Sequence, residues 1–250
     1  MKADTKKIFY LKGYRNYILA TFLLSILFGI TFLFTIDFTA GKSLVALSTM
    51  EVMDITLLGI DVTAIMLIVF IANVIVKEFT TSSIHTALAI TPSRQKYFLS
   101  RFLFTSVLSL LISIAIVSTL LLINQFILSA NDMEKLLILD QIMLLKLTGA
   151  VIMPLFYSLL SMAGTFYAQS ASTGITFALS VMFLPAFIKM FSADVTSYIL
   201  PFFPERALHV LTDISTIPVR DSIIKAILIL LIWVVIANLL GMWKFKKADF

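Results

Sequence analysis

The chain has no cysteine and only two histidines, and just 13% of its 250 residues are charged. Without cysteine it can form neither disulfides nor thiolate metal sites. A phosphate-cradling loop of the form Gly-x-x-x-x-Gly-Lys-Ser/Thr is also missing. Gly41-Lys42-Ser43 copies its end, but Ile36 stands where the first glycine belongs. The chain therefore binds no nucleotide of its own. Its formal charge of +5 does not describe a nucleic-acid-binding face, because the basic residues flank apolar runs and do not gather on a soluble surface.

What is present in excess is apolar sequence. Hydrophobic residues make up 60% of the chain, and the apolar runs recur along its whole length. Mean hydropathy is +1.04. This composition excludes a soluble domain and predicts a single all-α, polytopic membrane domain over residues 1–250. A run of about twenty residues crosses a hydrocarbon layer of about 30 Å. Six such spans are expected at about 17–36, 57–76, 102–123, 147–168, 172–192 and 223–243. The first is too long for an ordinary secretory h-region, and Asp37-Phe38-Thr39-Ala40 after it makes a poor cleavage site, so it reads as a retained span.

Six spans put both termini on one side. The N-terminal segment (Lys2, Lys6, Lys7, Lys12, Arg15), the interval 77–101 (Lys77, Arg94, Lys96, Arg101) and the tail (Lys244, Lys246, Lys247) hold twelve of the nineteen basic residues. Only Asp4, Glu78 and Asp249 oppose them there, whereas ten acids face seven bases on the other side. The positive-inside rule then predicts a multi-pass protein of the cytoplasmic membrane with both termini cytoplasmic.

The interval 77–101 is the longest polar, basic stretch between apolar runs in the first two thirds of the chain. Thr91-Pro92 within it carries a helix-start signal, since threonine caps orphan N–H groups and proline at the first position has none to lose. Ile84, Ala87 and Leu88 recur at helical spacing, which predicts a short amphipathic helix before that start. At the N-terminus, Ile8, Phe9, Leu11 and Tyr14 alternate with Lys7, Lys12 and Arg15, a pattern that suits a helix lying in the interface. Between the fifth and sixth spans, Ala193 to Ser222 is too apolar for a free loop, and Pro201 and Pro204 rule out one straight helix. Short helices dipping into the outer leaflet, or re-entering between spans, fit it.

Charges inside spans are site candidates by default, since each costs about 2.5 kcal/mol or more at mid-bilayer. Asp61 lies about one turn inside the second span, and Lys189 and Lys225 stand near outer ends. Asp61 is expected to pair with Lys225 or to line an outer vestibule; Phe202 and Phe203 are outer-gate candidates. Asn73 and Asn238 read as hydrogen-bond partners between helices. Ser161, Gly164, Thr165 and Ala168, with Ala171 to Gly174, mark faces where two helices can approach closely, and Pro154 and Pro185 are expected to kink theirs. A membrane metalloprotease needs clustered ligands such as His-Glu-x-x-His. His85 and His209 fall on opposite faces of the expected topology, so they cannot share a metal and an enzymatic role is not expected.

Span order and one motif together carry a family resemblance. Glu78-Phe79, Ser82-Ser83, Leu88, Pro92-Ser93-Arg94 and Arg101, set in six spans with a basic N-terminus and a semi-apolar outer segment, resemble a permease of the ABC-2 exporter superfamily. Members often have Gly-Thr at Ser82-Ser83 and Lys at Arg101. The resemblance implies a second permease, identical or related, and two cytosolic ATPase subunits that carry the ATP and Mg. It also implies a coupling helix in 77–101, with Glu78, His85, Leu88, Pro92 and Arg94 docking the ATPase, and re-entrant outer helices that close the pathway. Small permeases of this type are similar to those that export, or confer immunity to, antimicrobial peptides, lantibiotics, bacitracin and phenol-soluble modulins. No polar groups converge along the spans, which also favours a hydrophobic or amphipathic cargo. The alternative is an ion-coupled carrier or channel that needs no ATP.

Overall fold

A computed structural model describes residues 10–36, 44–80, 84, 88–89, 93–134, 141–191, 196, 199–213 and 220–247. Among them the chain is all-helical, with no strand. The main helices are α1 (Lys12–Phe34), α2 (Thr49–Leu57), α3 (Gly59–Thr80), α4 (Arg94–Ala130), α5 (Gln141–Ala168), α6 (Ala171–Ile188), α7 (Pro204–Thr212) and α8 (Arg220–Lys247), with 3-10 turns at Leu44–Ala46 and Leu200–Phe202. Six segments are long and apolar enough to cross a membrane: α1, α2 and α3 taken together, α4, α5, α6 and α8.

Several helix ends differ from the apolar runs that announce them. The second span starts at Thr49 because Ser48 and Glu51 close a reciprocal capping box. It jogs at Leu58, and the jog rests on α1 through two glycines. A Cβ on Gly29 would meet the Thr56 carbonyl oxygen and one on Gly59 would strike that of Ser25, so only glycine lets the backbones come this close. Ser25 and Thr63 then share a hydroxyl hydrogen bond of 2.8 Å across the same contact. The third span begins at Arg94, with Ser93 and not Thr91 as its cap: the Ser93 hydroxyl accepts from the Lys96 N–H. It runs for 37 residues, about 55 Å at 1.5 Å per residue, and so projects beyond the hydrocarbon.

The centre of the bundle is α5, whose apolar stretch is 61% buried, against 22% for α1 and α8 at the rim. It packs on α3, α4, α6, α7 and α8. Small residues bring α6 against it: a Cβ on Gly174 would collide with the Thr165 hydroxyl and lie 2.6 Å from the Ser161 carbonyl oxygen. The Ser161 hydroxyl also donates to the Ile68 carbonyl at 2.8 Å, tying α5 to α3. Gln169, in left-handed backbone at φ 54°, reverses the chain between α5 and α6. Both helices are continuous through Pro154 and Pro185.

Two expected features resolve differently. Asn73 donates to the Val69 carbonyl and Asn238 to that of Val234, so each bonds its own helix and not a neighbour. Lys12 and Arg15 stand exposed on the first turns of α1 itself, while Lys7 lies outside the described residues.

Candidate functional site

At the end of the bundle that holds the start of α1 and the end of α8, three helix ends are locked together by charge. Glu78, near the end of α3, is buried. Its Oε2 accepts the Tyr97 hydroxyl and pairs with Arg101 Nε at 2.9 Å. Tyr97 and Arg101 sit four residues apart, on one face of the first turns of α4. Both partners of the ion pair are nearly enclosed, with side chains 12% and 10% exposed, so the attraction acts in a low dielectric. Arg94, at the start of α4, donates through Nη1 to the Phe245 and Lys246 carbonyls at 3.2 and 3.0 Å. These belong to the last turn of α8, where carbonyls have no partner within the helix. Aromatic rings fill the space beneath: Phe98 and Phe166 have centroids 4.8 Å apart, and Phe166 and Phe245 5.1 Å.

The polar interval between α3 and α4 is thus clamped at both roots. Ile84 is fully buried and Leu88 half-buried, which agrees with one apolar face in that interval. His85 and Pro92, two of the expected docking residues, lie outside the described residues. Of the others, Glu78 and Arg94 join the clamp and face inward.

At the opposite end, a cavity of about 480 Å³ opens between α2, α3, α5, α6 and α7. Asp54 and Asp61, seven residues apart, present one face to it from either side of the Leu58 jog. Tyr157 of α5 enters from the centre of the bundle, and Glu205, His209 and Asp213 enter from α7 and its end. Glu205 Oε1 takes Lys189 Nζ at 2.9 Å, which fastens the end of α6 to the start of α7, and His209 Nε2 lies 3.7 Å from the same oxygen. Behind the cavity Lys146 is fully buried, and its Nζ donates to the Val210 carbonyl at 2.9 Å, in the last turn of α7. Gly149, one turn on, leaves room for the Leu211 carbonyl, which any Cβ there would strike.

The expected pathway residues separate here. Asp61 lines the cavity, but Lys225 is exposed on α8 and away from its wall, so the pairing of Asp61 with Lys225 is not formed. Phe203 packs on Trp233 with centroids 5.8 Å apart, and the Phe202 carbonyl accepts the Trp233 indole N–H at 2.9 Å while its ring is 72% exposed. Neither phenylalanine lines the cavity. Tyr97, Lys146, Tyr157 and the Lys189–Glu205 pair were not singled out in the sequence. Tyr97 and Arg101 had a readable signal in their i, i+4 spacing; Tyr157 had none.

Six membrane-crossing helices, a charged clamp at one end and an acidic cavity at the other define the class: a multi-pass helical membrane protein. Comparison of the chain with protein-family models, with curated proteins and with solved structures returns no match.

Proposed function

We propose that this chain is the transmembrane permease of an ATP-driven exporter of the ABC-2 type. In this reading it lies in the cytoplasmic membrane with both termini inside and moves a hydrophobic or amphipathic cargo outward, with toxic or antimicrobial peptides favoured. It pairs with a second permease, identical or related, and with two cytosolic ATPase subunits that hold ATP and Mg. Its own part is conduction, not catalysis.

The observation that carries the proposal is the clamp. A motor pressing on residues 81–92 meets a segment whose roots are fixed to α3 by Glu78, to α4 by Tyr97 and Arg101, and to α8 by Arg94. Force applied there moves three spans as a unit instead of bending a loop. In the same reading the basic N-terminal segment, with Lys7, and the first turns of α1, with Lys12 and Arg15, meet the membrane interface, and the 3-10 turn with α7 forms the outer closure. The buried face of α7, made by Pro204, Ala207, Leu208 and Leu211, supports that last assignment.

The test is affinity purification of the chain in mild detergent from its native cell, with mass spectrometry of what accompanies it. A soluble protein bearing a phosphate-binding loop, in equal amount, is expected. Recovery of the chain alone would sink the exporter reading and favour an ion-coupled carrier.

A further inference from the structure

The carboxylates at the cavity are arranged for something larger than a metal ion. Among the described residues no three His, Asp or Glu side chains converge as metal ligands. Asp54, Asp61, Glu205 and Asp213 instead come from different walls, with His209 as the one basic group among the lining residues. Acidic groups outnumber basic ones on its lining, although Glu205 is already paired with Lys189.

Two side chains of this cavity have no hydrogen-bond partner among the described residues. The Asp61 side chain makes no hydrogen bond or ion pair to any described residue, although it lies within a membrane-crossing segment. A charge in that position is costly unless a counter-charge meets it. Tyr157 is 1% exposed and lines the same cavity, yet its hydroxyl has no hydrogen bond within the described chain. Buried tyrosine hydroxyls nearly always have one. Asp61 and Glu205 line the same cavity as that hydroxyl. An anionic group and an unsatisfied hydroxyl, both turned to one space, are what an ammonium or guanidinium would satisfy. The tyrosine ring adds its negative face, worth about 0.5–2 kcal/mol toward a cation.

The remaining wall suits an apolar body. Met153, Met182 and Phe183 line it. Methionine is flexible and polarisable, so it adapts to varied shapes. A volume of about 480 Å³ lies within the range of sites for drug-sized molecules, about 300–1,000 Å³.

We propose that this cavity is a binding site for organic cations, in which Asp61 balances the charge of an ammonium, phosphonium or guanidinium group, the Tyr157 ring faces it, the Tyr157 hydroxyl accepts an N–H where the group has one, and the methionine-lined wall receives the apolar body. Describing the bound cation as cargo rests on the exporter reading; its binding does not. The charged group comes either from a free lipophilic cation or from a lysine or arginine side chain of an amphipathic peptide.

The experiment is equilibrium dialysis of tetraphenylphosphonium against the full chain purified in detergent, with empty micelles as the blank. Tetraphenylborate, nearly the same shape with the opposite charge, is the comparison ion. The wild-type chain is expected to bind the phosphonium and not the borate. Asp61→Asn should weaken binding about tenfold, or ~1.4 kcal/mol, whereas Tyr157→Phe, which keeps the ring, should change it little because the probe has no N–H for the hydroxyl to accept. Asp221→Asn, an exposed carboxylate at the start of α8 outside the cavity, should change nothing. If Asp61→Asn fails to fold, Ala186→Trp tests the same site by filling the cavity and should abolish binding. Displacement of the probe by a synthetic Leu/Lys amphipathic peptide, but not by its Leu/Glu counterpart, assigns the peptide source; no displacement by either assigns a free small cation. Equal binding of both probe ions, or full binding in both Asp61→Asn and Ala186→Trp, overturns the proposal. No ATPase is present in this assay, so its failure beside a copurified ATPase would leave the exporter reading intact. Its success without one would leave the cavity site standing alone.

Discussion

Glu78 is held by a phenol and a guanidinium at once, and the two are not equivalent. Removing Arg101 leaves a carboxylate buried without its counter-charge, a change that typically costs about 3–5 kcal/mol. Arg101→Met should therefore lower the thermal midpoint of the detergent-purified chain sharply, whereas Tyr97→Phe removes one hydrogen bond to the carboxylate and should cost less, about 1.5–3 kcal/mol. The pair Glu78→Gln with Arg101→Met should recover much of the loss, since neither group is then charged. A double variant no more stable than Arg101→Met would show that Glu78 draws its support from elsewhere. None of these partnerships could be read from the sequence beforehand. Glu78 and Tyr97 belong to different spans, and apolar periodicity says which face of a helix is buried but not which neighbour it meets.

At the level of helices, the apolar runs located all six spans to within a few residues at their centres, because the need to cover about 30 Å of hydrocarbon leaves little choice. The ends departed further. Polar residues continue a helix into water wherever a cap starts it, as the Ser48/Glu51 box does at Thr49, eight residues before the apolar run of the second span begins at Leu57. Interhelical distance is set instead by glycines. Gly174→Val should push α6 from α5 against the Thr165 hydroxyl and destabilise the fold by about 1–3 kcal/mol, read as a lower thermal midpoint. Gly13→Ala, where a Cβ meets nothing within 4 Å, should be neutral or stabilising. If both behave alike, the close approach of α5 and α6 is not what their small residues provide.

For the molecule as a whole, orientation and coupling are the open assignments, and the chain's composition makes the first simple to test. With no native cysteine, one introduced at a time labels cleanly. Asn131→Cys should react with a membrane-impermeant maleimide in intact cells, and Lys96→Cys only after permeabilisation; the reverse pattern would invert the topology. Leu88→Glu places a charge on the half-buried face of the clamped interval and, in the proposed exporter reading, should reduce stimulation of a copurified ATPase while the chain stays folded. Full stimulation would remove that interval from the docking surface. Asp61 was legible as a lining residue because a charge inside a span stands out, but the rest of the cavity was not, since its walls come from five helices and its central residue, Tyr157, sits in an ordinary apolar run. Lys146 adds an order in time. Its carbonyl partner at Val210 lies 64 residues further along the chain, so when the ribosome delivers α5 to the bilayer the acceptor has not yet been made. That contact can therefore form only after α7 has emerged, and it closes the bundle behind its most central helix late in synthesis.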